Sequence, residues 1–322
     1  MAPDGGATRQ LVFEAKRQMS PRGAEVVADQ LRIHLARQGD TGVLVASWIS
    51  PRAQEVLRGK GIGFIDLTGN IELTLDRPGL AIRMQGASRD PDPKPALVPS
   101  LKGPRAWALM RTLVEVQPPY GVRELAAATN VDPGYISRIL RVLEEDLLIS
   151  RRPRGPVVNV DWQALVRHIA TTYTLFDANR TTTYVAAAGA ERFLADLGAN
   201  PPARWAITGS FGSSTLAPVA APTLAIVYTD TPDAVETGAG ILPADAGANV
   251  VLVRPYDAIA FSRTWAKNNL RFASVAQLAL DCLTGSGRMP AEGEALLGWM
   301  SEHERRWRAT TLEAERNPVL SQ

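Results

Sequence analysis

Residues 11 to 16, LVFEAK, end in Glu14 and Lys16, which lie two apart and so fall on one face of an extended strand. A carboxylate and an ammonium placed this way can hold a divalent cation and polarise a water for attack on a phosphodiester. Asp66, in FIDLTGN, is a second strand-end carboxylate, suited either to a metal or to closing its own turn. Far along the chain, Gly209 and Ser210 follow the apolar run WAIT, a context in which a glycine turn and a hydroxyl can grip phosphate. Between these, Arg151, Arg152 and Arg154 crowd a turn with Pro153 and Gly155, and clustered guanidiniums displace counterions from a nucleic-acid backbone. Cys282 is the sole cysteine, and the chain has only 3 His, so an internal disulfide and a zinc-site spacing are both excluded.

The elements that must position these groups divide at a proline-rich stretch, GASRDPDPKPALVPS, which suits a linker. Before it, QLVFEAK, GVLVAS, IGFIDL, NIELTL and LAIRMQ read as strands, with helices over PRGAEVVADQLRIHLARQG and SPRAQEVLRGKG. After it come helices and a basic hairpin to about residue 162, and then a longer alternating region. The 322 residues allow two or three domains, and 45% hydrophobic with 21% charged residues is ordinary globular composition. Lys plus Arg exceeds Asp plus Glu by only two (35 against 33), so a nucleic-acid partner must be argued from where the arginines cluster. No apolar run reaches membrane-helix length and the first residues lack the order of a secretory signal, so the expected location is the cytoplasm.

Residues 104 to 160 hold the most informative pattern. PRAWALMRTLVEVQ and GVRELAAATN read as two helices, the second ended by Asn130. In VDPGYISRILRVLEEDLL, Asp132 is a good N-cap and Pro133 takes the first helical position. Ile136, Ile139, Leu140 and Leu143 recur at i, i+3, i+4 and i+7, while Tyr135, Ser137, Arg138 and Arg141 fall off that stripe. LLISRRPRGPVVNVD then gives strand, basic turn, strand. The segment resembles the winged helix-turn-helix of bacterial transcriptional regulators, which implies duplex DNA as partner. Arg138 and Arg141 would then address base edges, and Arg151, Arg152 and Arg154 the phosphates.

The region of Glu14 and Lys16 resembles the PD-(D/E)XK nuclease superfamily, with Pro3-Asp4 ten residues ahead of the glutamate. In that family an Asp and the Glu hold the metal and the Lys orients water. PDGG reads as a turn, however, and the expectation is an inactive domain with no metal and no catalytic residue. Residues 205 to 230 resemble the opening of the nucleotidyltransferase fold. The acidic pair that fold needs is replaced by Pro222 and Leu224, with Asp230 at the far end of the strand, so a catalytically dead relative is expected. A winged helix followed by such a domain is similar to the AbiE antitoxin-like regulators of type IV toxin-antitoxin systems, which implies a toxin as a further partner. Later, SVAQLALDCL and AEGEALLGWMSEHERRWR read as closing helices, with Leu296 and Trp299 packed and Arg305, Arg306 and Arg308 as a solvated basic end.

The expected architecture is therefore α/β multidomain. A restriction-endonuclease-like α/β domain covers 1–86, a linker 87–100, a central winged helix-turn-helix 101–162, and a nucleotidyltransferase-like α/β domain 163–322. The expected function is sequence-specific regulation of transcription by a homodimer without cofactors or a membrane partner. The rivals are an antitoxin and a metal-dependent nuclease targeted by the winged helix.

Overall fold

A computed structural model describes residues 10–17, 19–35, 40–76, 79–92 and 101–313. Asp4 and most of the proline-rich linker lie outside the described residues. The chain is mixed α/β and separates into two compact units, 1–99 with 140–149, and 100–139 with 150–322. Among the described residues no helix is long and apolar enough to cross a membrane.

The first unit holds a five-stranded sheet in sequential order: β1 (Leu11–Lys16), β2 (Thr41–Ala46), β3 (Gly63–Asp66), β4 (Ile71–Leu75) and β5 (Leu80–Met84). The first three strands are parallel, linked by α1 (Pro21–Leu35) and α2 (Pro51–Gly59); β4 then pairs antiparallel with β3, and β5 antiparallel with β4. Ala24, Val27, Ala28, Leu31 and Leu35 recur at helical spacing on α1 and bury one stripe. That stripe forms one cluster with α2 and with Leu44, Ala46 and Phe64, the alternate positions of the strands. The start of α2 is fixed by Ser50, whose hydroxyl accepts from Ala53 N, and by Pro51 in the first turn.

The second unit opens with α3 (Pro104–Glu115) and α4 (Val122–Thr129). Next comes α5 (Pro133–Glu145), through which the boundary between the units passes. A two-stranded hairpin follows, β6 (Ile149–Arg151) and β7 (Val157–Val160), then α6 (Trp162–Ala170) and the short α7 (Leu175–Ala178). The rest is built on β8 (Arg180–Val185), α8 (Ala190–Ala199), β9 (Trp205–Thr208), α9 (Gly209–Ser213), β10 (Ala225–Thr229), α10 (Pro232–Ala239), β11 (Leu242–Pro243) and β12 (Val250–Arg254). A 3-10 turn (Ala258–Phe261), the hairpin β13 (Trp265–Lys267) and β14 (Leu270–Phe272), and the helices α11 (Val275–Leu283), α12 (Met289–Glu302) and α13 (Glu304–Trp307) complete it. Its seven strands run in the order β11-β8-β12-β10-β9-β14-β13.

One sequence expectation fails here. Arg308, expected at a solvated basic end, is buried: its guanidinium donates to Val114 O at 2.9 Å and Val116 O at 3.0 Å, the last carbonyls of α3, which a cation complements. Only Arg305 and Arg306 are exposed. The expected packing of Leu296 and Trp299 holds: Leu296 is fully buried, and Trp299 is half-buried, stacked on His303 with Arg306 over its ring.

Candidate nucleic-acid interface

The turn into α5 is built by local hydrogen bonds. Glu124 reaches back to the Gly121 N–H at the start of α4, and Asn130 ends that helix in the left-handed region at φ 53°. Asp132 then accepts from Tyr135 N at 2.9 Å, and Pro133 occupies the first turn. On α5, Ile136, Ile139, Leu140 and Leu143 are all buried, so the face of the helix left to solvent is set by its sequence. Arg138 and Arg141 are exposed there, and neither has a hydrogen-bond or ion-pair partner among the described residues. Tyr135 and Ser137 are half-buried, and the Ser137 hydroxyl donates to Pro133 O at 2.9 Å, which uses its proton within its own helix.

The hairpin turn is Arg152-Pro153-Arg154-Gly155, closed by Gly155 N donating to Arg152 O at 2.8 Å and widened by Arg152 N donating to Pro156 O at 3.1 Å. Pro153 has the residue type favoured at the second turn position. Arg154, at the third, has φ 55°, a conformation for which glycine or asparagine is the usual occupant. Arg152 and Arg154 are exposed and without partners among the described residues. Arg151 differs from the other two: it is half-buried and donates from Nη2 to Gly155 O at 3.3 Å, so it braces the turn instead of projecting from the tip. Arg123, in the first turn of α4, is a further exposed and unpartnered guanidinium that the pattern of stripe and turn did not single out.

The other two candidate sites look different. Lys16 Nζ lies 2.6 Å from Glu14 Oε1, so the two charges that would divide metal and water between them neutralise each other at the surface. Asp66 is buried, and its carboxylate accepts from Ile49 N, Thr68 N, Thr68 Oγ1, Asn70 N and Asn70 Nδ2 at 2.7–3.1 Å. Burial raises its pKa, but these donors outweigh that and hold it below the ordinary value. Asn70 in turn binds Gly86 N and Ala87 O, so Asp66 organises the loops at the carboxyl end of the sheet. No group of three or more His, Cys, Asp or Glu is placed to hold a metal ion among the described residues.

Gly209 turns the chain after β9 at φ 66°, where a Cβ would sit 3.0 Å from Ile226 Cδ1. Ser210, the would-be phosphate grip, is buried and donates to Glu292 Oε2 at 2.6 Å, and Arg288 Nε in turn donates to Glu292 Oε1 at 3.1 Å. A carboxylate thus holds the hydroxyl. Below it, Asp281 is fully buried and accepts from Thr208, Tyr173, Tyr228 and Gln277 at 2.5–2.9 Å. Burial dominates those donors and pushes its pKa up to about 6, while the Tyr173 and Tyr228 hydroxyls are raised well above the ordinary tyrosine value, burial again first. No family model matches the chain, and no curated protein or solved structure matches it either.

Proposed function

We propose that the protein is a sequence-specific double-stranded DNA-binding regulator of transcription. In this reading residues 104–160 form a winged helix-turn-helix, α5 enters the major groove, and the β6–β7 hairpin lies along the backbone. The observation that carries it is the set of exposed guanidiniums, Arg138, Arg141, Arg152 and Arg154, left without partners in a chain that pairs or buries many of its other arginines. Phosphates and guanine edges are the acceptors such groups meet on duplex DNA. The conformation of Arg154 adds support, because strained backbone positions cluster at functional sites.

The N-terminal sheet and the seven-stranded domain then serve assembly, sensing or partner binding in a cytoplasmic homodimer. The nuclease reading draws no support from Glu14, Lys16 and Asp66, whose charges are all committed within the fold. Unbiased selection from a random duplex library, run with and without magnesium, tests binding and cutting together. Enrichment of one motif in intact DNA is expected; cleavage lost on E14A, or recovery of no motif at all, would overturn the reading. An antitoxin role requires in addition a stable complex with a toxin protein.

A further inference from the structure

A cleft of about 400 Å³ opens at the amino end of β9 in the second unit. Its lining is Arg204 and Trp205 from that end, Ala258 and Phe261 from the 3-10 turn, Ser262 just beyond it, and Arg271 on β14. The charged side chains lining it are both guanidiniums, which favours an anion as occupant. Arg204 lies 4.5 Å over the Phe261 ring and 3.5 Å from Asp230, an exposed pair weak enough to yield to a better acceptor. Arg271 is half-buried and has no partner among the described residues, and neither does the exposed Ser262 hydroxyl. The adjacent Arg263 does not compete for this space. Its backbone takes φ 55° and its side chain turns inward, 3.5 Å from Glu115 and donating to Leu312 O at 2.9 Å.

The volume is at the lower end of the range for small-molecule sites. Two guanidiniums converging on one cleft recognise a carboxylate or a phosphate, and an aromatic ring beside them offers a flat contact. We propose that this cleft binds a small organic oxyanion, a carboxylate or phosphate monoester on a compact flat body, held by Arg204 and Arg271 with the body against Phe261. The proposal does not depend on how the arginines of α5 and the hairpin are used.

Titration calorimetry and thermal melting of the full chain test it with benzoate, phenyl phosphate and inorganic phosphate, each against sodium chloride at equal ionic strength. Benzoate or phenyl phosphate is expected to bind and to raise Tm by about 2 °C at saturating concentration. Which of the two binds tells carboxylate from phosphate. R271Q and R204Q should each weaken that binding by about tenfold, and R152Q should leave it unchanged. F261L, which keeps an apolar side chain of similar size, should weaken phenyl phosphate or benzoate but not inorganic phosphate. The melting curves without ligand show whether each variant is folded, and R271K serves in place of R271Q if that variant is not. The proposal is overturned if no probe exceeds the salt control, if binding survives loss of both arginines, or if R152Q abolishes it. Inorganic phosphate binding as tightly as phenyl phosphate would remove the flat body from it.

Discussion

Arg111 is fully buried, its guanidinium donating to Gln277 Oε1 at 2.9 Å and Ser262 O at 3.4 Å and lying 3.1 Å from Glu115; Arg138 stands on the open face of α5 with nothing to bind. The pair with Glu115 is ionic contact and not a well-aligned hydrogen bond, since neither facing atom finds one. Arg263 shares Glu115 with Arg111 at 3.5 Å, and Gln277 links Arg111 to the Asp281 network. One residue type thus stands in opposite settings: in the core it satisfies buried acceptors and fixes one packing, and on α5 and the hairpin it makes no bond within the fold, which under the proposed function leaves it for an outside acceptor.

Breaking the core side should cost most. R111A leaves Gln277 facing a void and Glu115 with only its 3.5 Å contact to Arg263, and chemical denaturation should record a loss of about 3 kcal/mol, the lower end of the usual cost of breaking a buried ion pair. Asp281 comes next. Its folded pKa of about 6 is raised from 3.8, so the stability it contributes is full below the ordinary carboxylate range and falls as pH rises through 6. Wild type should lose up to about 3 kcal/mol between pH 4 and pH 7 relative to D281N, whose profile should be flatter. Neither change should alter the salt dependence of DNA binding in the surviving folded fraction.

The surface side inverts that pattern. R152A/R154A should leave melting nearly unchanged yet weaken all DNA sequences by about tenfold or more, with the slope of log K against log salt reduced by about two. R138A or R141A should cost about 1–3 kcal/mol of discrimination at one base position, read as a flattened preference in a selection experiment. The smallest effect separates fold from function at a single residue. R154G should stabilise the hairpin by up to about 1 kcal/mol, because glycine accepts φ 55°, while weakening DNA binding a few-fold. If R154G instead left affinity intact, the turn's strain would have no role in contact.

Local signals carried much of the fold. The Asp132 cap, the Asn130 stop and the buried stripe of α5 follow from residue type and spacing within one or two turns, and the structure contains them as read. The strand β8 and the hairpin β13–β14 were not legible, because RTTTYV has no apolar alternation and WAKNNLRF turns on Asn268 and Asn269, both at positive φ. The candidate sites were less legible than the elements. Arg308 and Arg305 are two helix-end arginines three apart, and only the carbonyls at the end of α3, some 190 residues earlier, draw one of them inside. Likewise nothing near Arg151 in sequence distinguishes it from Arg152; its bond to Gly155 O depends on the turn having closed.

The bond from Ser210 to Glu292 has one more implication. A phosphate arriving at the Gly209-Ser210 turn would meet a carboxylate that already accepts the hydroxyl's hydrogen bond and is itself held by Arg288, so the fold places an intramolecular competitor on α12. Any anion affinity built into this turn would therefore have to begin with removal of the Glu292 carboxylate.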